Sequence, residues 1–507
     1  MIKLTPEKLV FLFFLLFFIF VPNNDQGFDS YAFLVDARAG LEIVHPHHML
    51  YNVFRYILFH LSTWLGLDPM KVISLASSVM GATALTYVFK ILKSKTLPEM
   101  ALTGTMLIGM VYSFWYFSTS VEVNIASMMF LMISFYYLFG DRKCRNSFLA
   151  FSSLTVGILF HQLLALAVIP FLVFFYYRYG GPFWRVGRVI LFLLLPGFLI
   201  YLIVAFFATP DKSISGVYGW LVFYSKLGKW GIIGPGSLVT SVGGTAKALF
   251  GGSMLRQTLY NGDLSPYGLI CLAGTGISLL GLAVLFVISI RQYIERKFIE
   301  STLLLIIALI FAAFAFWWAP NDDGFWFYPV VLVLIMIFIT VDYTDAVRKI
   351  AYTTMAVFAF VNITCAMVPA ADMNKSMARK GAQALYNLNL GENDLVLTNL
   401  AQIPLALDYH YNVKVPTTSF AYQEGDSKNE IISRFHTLLT TFKGRIIVFG
   451  DEIKPEPHRR FLYSRFSPGD YALAYAPIMA ELSPVDSLQV YGKSVAIYEL
   501  KKSESGE

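Results

Sequence analysis

The residues best equipped for chemistry gather between Asn24 and His48. They are the carboxylates Asp25, Asp29 and Asp36, the cation Arg38, and the imidazoles of His45, His47 and His48. A carboxylate held against apolar walls loses hydration, its pKa rises, and it becomes a usable general base. Imidazoles can orient a hydroxyl or ligate a metal. Each residue also has a plainer reading. Asp29 suits the N-cap of a helix over 30–41, and Asp25 suits a solvated loop. Asp36 lies two turns further along the face that carries Asp29. Beyond this stretch, Glu122, His161, Asp322 and Asp323 stand at or near the ends of apolar runs. Lys226, Lys229 and Arg256 stand in a long segment rich in Gly and aromatics and, with Arg38, offer charge for a phosphate. Trp317-Trp318 and Phe325-Trp326 flank the aspartate pair as an aromatic belt would.

The elements that must position these groups are set by composition. Of 507 residues, 56% are hydrophobic and only 14% charged, with mean hydropathy +0.60. An ordinary soluble domain carries about 25% charged residues, so much of this surface faces lipid and a water-soluble enzyme is excluded. No nucleic-acid partner is expected. Apolar runs long enough to approach roughly 30 Å of hydrocarbon occur at 9–22, 70–92, 98–118, 121–140, 189–208, 266–290, 300–318, 325–341 and 350–369. Residues 147–177 form one run interrupted by His161-Gln162.

Charge placement resolves that run. With two short helices, 147–160 and 162–177, and a cytoplasmic N-terminus, the basic loops all fall on one side. These are Lys90/Lys93/Lys95, Arg142/Lys143/Arg145, Arg178/Arg185/Arg188, Arg291/Arg296/Lys297 and Arg348/Lys349. Lys and Arg favour short cytoplasmic loops, which predicts about eleven spans. The run after Lys3 and Lys8 lacks a small-residue cleavage site and reads as a retained first span. The expected architecture is a polytopic α-helical membrane domain over 1–370 and a small extracytoplasmic α/β domain over 371–507. The membrane domain carries outer loops at 23–69 and 209–265. In the tail, 394–398 and 445–449 read as strands, 431–442 as an amphipathic helix and 488–500 as a β-ribbon. Three cysteines, with Cys271 and Cys365 in apolar runs, predict no disulfide framework. Of two glycosylation sequons, Asn362-Ile363-Thr364 falls inside a span and Asn374-Lys375-Ser376 outside.

The first outer loop resembles the GT-C superfamily of membrane glycosyltransferases. These include protein O-mannosyltransferases, lipid A aminoarabinose transferases and lipopolysaccharide core transferases. The matching residues are Asp29-Ser30, Gly40, His45-Pro46 and Leu50-Tyr51, with Phe114-Trp115 through Glu122-Val123, and His161. Tyr31-Ala32 and His47-His48 stand where the mannosyltransferase-like set has Gly-Glu and Pro-Gly. The resemblance implies a GT-C-like fold and inverting sugar transfer from a polyprenyl-phosphate donor to a lipid, glycan or protein acceptor on the extracytoplasmic face. It implies Asp29 as general base, with His45 and Glu122 beside it at the catalytic centre. Asp25, Arg38, His161, Lys226, Lys229, Arg256, Asp322 and Asp323 are the implied substrate-binding set. No cofactor is required, although oligosaccharyltransferase relatives use a divalent metal. Two rivals compete: a transporter or flippase, and a non-catalytic relative. Transporters place ionisable groups inside their spans, whereas here the polar residues gather at one face.

Overall fold

The computed structural model describes residues 4–140, 144–179, 184–209, 212–221, 231, 233–234, 236–251, 265–296, 298–420, 423, 427–453, 468–490 and 493–500. The chain divides into two compact units. One comprises Met1–Asn23 with Asp36–Pro369, the other Asn24–Val35 with Ala370–Glu507.

The first unit is helical. Its helices begin where local chemistry satisfies their free N–H groups. Thr5 accepts from Lys8 N ahead of Pro6, and Asp68 accepts from Met70 N ahead of Pro69. Among the described residues, six helices are long and apolar enough to cross a membrane: Pro69–Lys93, Val186–Ala208, Pro266–Arg296, Ile299–Trp318, Asp323–Thr340 and Asp345–Ala371. Pro98–Gly109 and Tyr112–Thr119, bent by 68°, make a seventh if taken as one span. Asn124–Phe139 and Gln162–Arg178 are apolar but shorter. Among the described residues, length and composition alone therefore support six or seven of the eleven expected spans. The 15 residues of Pro6–Phe20 rise only about 22 Å, short of a full hydrocarbon core.

Asp323–Thr340 is the inner helix, 67% buried, while Val186–Ala208 and Pro266–Arg296 are 22% buried and present apolar side chains outward. The chain does break at His161. Cys144–Phe160 ends there, and a 3-10 turn over Gln162–Ala167 starts the next helix.

Close approach of helices depends on small residues. A Cβ at Gly109 would collide with the ring of Phe14, itself fully buried. Gly109→Ala is expected to cost about 1–3 kcal/mol through overpacking, seen as a lower thermal midpoint of the purified protein. Cys271 and Cys365 are joined in a disulfide with a Cα–Cα separation of 6.2 Å. This corrects the expectation of none. The two cysteines are 94 residues apart, and only the packing of Pro266–Arg296 on the last helix brings them together.

The second unit carries a five-stranded sheet of order β2-β1-β3-β5-β4. β1 (Leu395–Leu397) runs parallel to β2 (Thr417–Thr418) and β3 (Ile446–Phe449). β5 (Lys493–Leu500) pairs antiparallel with β3 and with β4 (Leu482–Val490). The helix Lys428–Thr441 buries Ile431, Phe435 and Leu439 against this sheet. Asn24 joins the unit through hydrogen bonds from its N to Ala370 O (3.0 Å) and its Nδ2 to Ala371 O (2.6 Å).

Candidate active site

The helix Phe28–Ala39 carries the first group of candidates. Ser30, Tyr31, Leu34 and Ala37 form its buried stripe. Asp29 lies inside the first turn, not at the cap, where its charge complements the helix dipole. Its carboxyl is exposed by surface area yet closely surrounded by protein. That surrounding matter governs hydration, and it pushes the carboxyl above its ordinary range. Asp25 is half-buried, and its charge acts on the buried Tyr31, whose hydroxyl lies 3.4 Å from His410 Nε2. Arg38 is half-buried in the last turn. The helix closes on Gly40, whose φ of 68° a glycine adopts without strain. Gly40 N donates to Ala37 O and Leu41 N to Asp36 O, a Schellman closure. Asn52 Nδ2 then donates to Glu42 O at 2.7 Å and ties the following loop to the helix Met49–Trp64.

That loop delivers three imidazoles to one place in the first unit. The ring centroids of His45 and His48 are 5.7 Å apart, those of His45 and His47 5.4 Å, and His161 stacks edge-on to His48 at 4.8 Å. His47 N donates to His45 Nδ1 (3.3 Å), and Leu163 N donates to His161 Nδ1 (3.2 Å). Gln162 bonds through Nε2 to His47 Nδ1 and receives Tyr201 OH on Oε1 at 3.0 Å. Tyr201 OH also bonds to Pro46 O. With Nδ1 accepting in His45, His47 and His161, each places its ring proton on Nε2.

Burial, and for His45 also the charge of Arg55, lowers His45 to about 4. Burial and neighbouring imidazoles lower His47 to about 3 and His48 further below its usual value. A folded-state pKa below the ordinary 6.5 means the unfolded chain binds more protons in acid. The stability these residues contribute is therefore complete above about pH 6.5. It is lost as pH falls from there towards 4. Thermal unfolding between pH 8 and pH 4 checks this; a midpoint independent of pH below 6.5 contradicts it.

Arg55 is fully buried on Met49–Trp64, and Tyr51, Asp36 and Glu42 supply the opposing charge or hydroxyl. Burial and Glu42 push Asp36 up to about 6, against the pull of Arg55. Glu122 is buried in the turn before Asn124–Phe139. That turn is anchored by Trp115 Nε1 donating to Val21 O (2.7 Å) and Asn23 Nδ2 donating to Ser120 Oγ (2.8 Å). Tyr328 connects the two regions. Its ring is 6.2 Å from that of His161, and its hydroxyl reaches Asn124 Oδ1 at 3.2 Å. Asp322 caps Asp323–Thr340, its Oδ1 accepting from Gly324 N at 2.8 Å, so the plainer role accounts for one of its oxygens. Asp323 is half-buried in the first turn of the same helix.

The structure thus joins His45 to His161 through His48, and Tyr328 links His161 to Asn124, two residues after Glu122. Lys226, Lys229 and Arg256 lie outside the described residues. Sequence reasoning missed Arg55, Gln162 and Tyr201. Arg55 sits at i+3 and i+4 from Asn52 and Tyr51 on the buried stripe, a spacing that could have marked it. Among the described residues, no group of three or more His, Cys, Asp or Glu is placed to hold a metal ion.

No protein-family model matches the sequence, and no curated protein matches it. Solved structures do. The crystal structure of ArnT from Cupriavidus metallidurans bound to undecaprenyl phosphate is 10% identical with a TM-score of 0.53, over 98% of this chain and 99% of that one. The oligosaccharyltransferase of Archaeoglobus fulgidus with Zn and sulfate is 11% identical with a TM-score of 0.53, over 96% and 72%. The chain has the GT-C fold. At this identity the likeness is one of fold. In the GT-C fold of this chain, the buried imidazoles and Arg55 collect at the end of the helices where Gln162–Arg178 and Asn124–Phe139 begin.

Proposed function

We propose that this protein is a GT-C-type glycosyltransferase. It moves a sugar from a polyprenyl-phosphate carrier to an acceptor hydroxyl at the extracytoplasmic membrane surface. The observation that carries this reading is the fold match over the whole length of ArnT, a protein solved with undecaprenyl phosphate. The acceptor oxygen attacks the anomeric carbon as Asp29 removes its proton. The bond from that carbon to phosphate breaks, the configuration inverts, and polyprenyl phosphate leaves. A raised carboxyl suits Asp29 to this role, because a stronger base accepts the proton more readily. The leaving phosphate gathers negative charge and needs a fixed cation or N–H donors. Arg38 and the buried Arg55 are the proposed cations. His45 and His161 offer neutral Nε2–H donors, and Glu122, Asp25 and Asp323 are proposed to bind sugar or acceptor hydroxyls.

The proposed orientation puts the N-terminus in the cytoplasm and the C-terminal domain outside. The Cys271–Cys365 bond supports it, since disulfides persist in oxidising compartments. Both cysteines lie at the helix ends assigned to the outer side. The reading is tested by mass analysis of glycans and lipid-linked sugars in cells with and without the protein. Loss of one sugar residue, with its lipid-linked form accumulating, is the expected result. Unchanged profiles for both would overturn it.

A further inference from the structure

A second polar site lies a helix length from the histidine cluster, in the same unit. The helices Asn124–Phe139 and Gln162–Arg178 start beside His161 and Tyr328 and run about 24 Å before ending at a cavity of about 590 Å³. Its lining includes Ser94, Lys95, Tyr136, Tyr137, Asn146 and Arg178, with Ile91 and Phe139 as apolar wall. The volume falls within the range of small-molecule sites.

Among the described residues the charges here do not cancel. Lys95 Nζ (2.8 Å) and Arg178 NH1 (2.7 Å) share the single carboxylate of Glu300. Lys90 stands outside the lining, its Nζ 5.5 Å from the centroid of the Tyr136 ring that borders it. Arg178 is held in place by NH2 donating to Phe139 O (2.8 Å) and Gly140 O (3.2 Å). Its Nε is buried with no hydrogen-bond partner among the described residues. A structural staple accounts for the two outer nitrogens of this guanidinium. It does not account for the remaining donor, the excess charge or the open volume beside them.

We propose that this cavity binds the headgroup of an anionic phospholipid, with its phosphate on Lys95 and Arg178. Basic recesses between helix ends at a membrane surface suit such headgroups. The apolar walls of Ile91 and Phe139 match the glycerol and first acyl carbons, which a free phosphate ion lacks. The inference is independent of the transferase reading, since the site is on the other end of the helices.

The test is native mass spectrometry of the full-length protein titrated with phosphatidylglycerol, with phosphatidylcholine or inorganic phosphate as separate arms. Phosphatidylglycerol is expected to bind in preference to phosphatidylcholine and to resist competition by inorganic phosphate. Lys95→Gln should weaken it about fivefold, the effect of one charge near the membrane surface. Asn146→Ala, a second change in the lining, should also weaken it. Lys93→Gln, whose partner Glu7 is not in the lining, should leave binding unchanged. Equal binding of the two lipids overturns the proposal, and so does equal weakening by Lys93→Gln and Lys95→Gln. Displacement by millimolar phosphate would reassign the site to a free anion and overturn the lipid assignment.

Discussion

Asp29→Asn is expected to lower sugar transfer by about 10²–10⁴-fold while the protein still inserts and unfolds at its normal temperature. The amide keeps the size of the side chain but cannot take a proton from the acceptor. Stability should hold, because desolvation disfavours the charged carboxylate here and a neutral amide of the same size relieves that cost. The loss of dipole complementarity is worth a few tenths of a kcal/mol at most sites of this kind. The pH profile gives an independent reading. A base works only when deprotonated, so the wild-type rate should fall as pH drops through a value above the ordinary 3.8 of an aspartate. Glu at this position keeps a base but moves it by one methylene, and should retain a measurable fraction. Full activity in Asp29→Asn, measured with a lipid-linked sugar in membranes, would remove Asp29 from the mechanism. The histidine and Arg55 cluster would then be left as the better candidate.

The largest effect on stability is expected from Glu452→Ala. This carboxylate is fully buried on the short helix Gly450–Ile453 that follows β3. Phe420 N donates to it at 2.6 Å, the Tyr475 hydroxyl donates to Oε1 at 2.5 Å, and Ser419 Oγ lies 2.9 Å from Oε2. Ser419 and Phe420 directly follow β2, and β1 lies between β2 and β3. One side chain therefore ties the carboxyl ends of two strands that do not touch. Truncation strands several buried donors at once, each costing about 1–3 kcal/mol. A loss of about 4 kcal/mol is expected for the second unit. Glu452→Gln, which keeps an acceptor oxygen, should lose less. Hydrogen exchange of the β1 and β3 amides would report it. Wild-type protection in Glu452→Ala would show that the three donors find other acceptors.

How much of this was legible beforehand differs by element. The strands at 394–398 and 445–449 and the ribbon ending at Leu500 were readable because alternation and apolar runs are local properties. The break at His161 was readable from where the basic loops had to fall. About eleven spans were expected, whereas six or seven helices among the described residues are long and apolar enough to cross, because apolar character does not fix helix length. Pro6–Phe20 is greasy enough but short. Arg55 was passed over because an arginine in a mixed-polarity stretch looks like a surface residue until its burial is seen. The disulfide was passed over for a related reason: a pairing across 94 residues leaves no trace in spacing.

The sequence by itself determined that this chain lives in a membrane, where its helices run, and that its acids and imidazoles crowd the segment after the first helix. Hydropathy, charge bias and turn residues act over a few neighbours, so they can be read in order along the chain. Only the tertiary structure decided that His161 meets His48, that Gln162 and Tyr201 fix the tautomer of His47, and that Arg55 is buried beside two carboxylates. It alone decided that Asn24–Val35 belongs with the C-terminal sheet. Those outcomes depend on which distant surfaces pack together, and burial is what shifts a proton or strengthens a charge. No stretch of sequence carries that information alone.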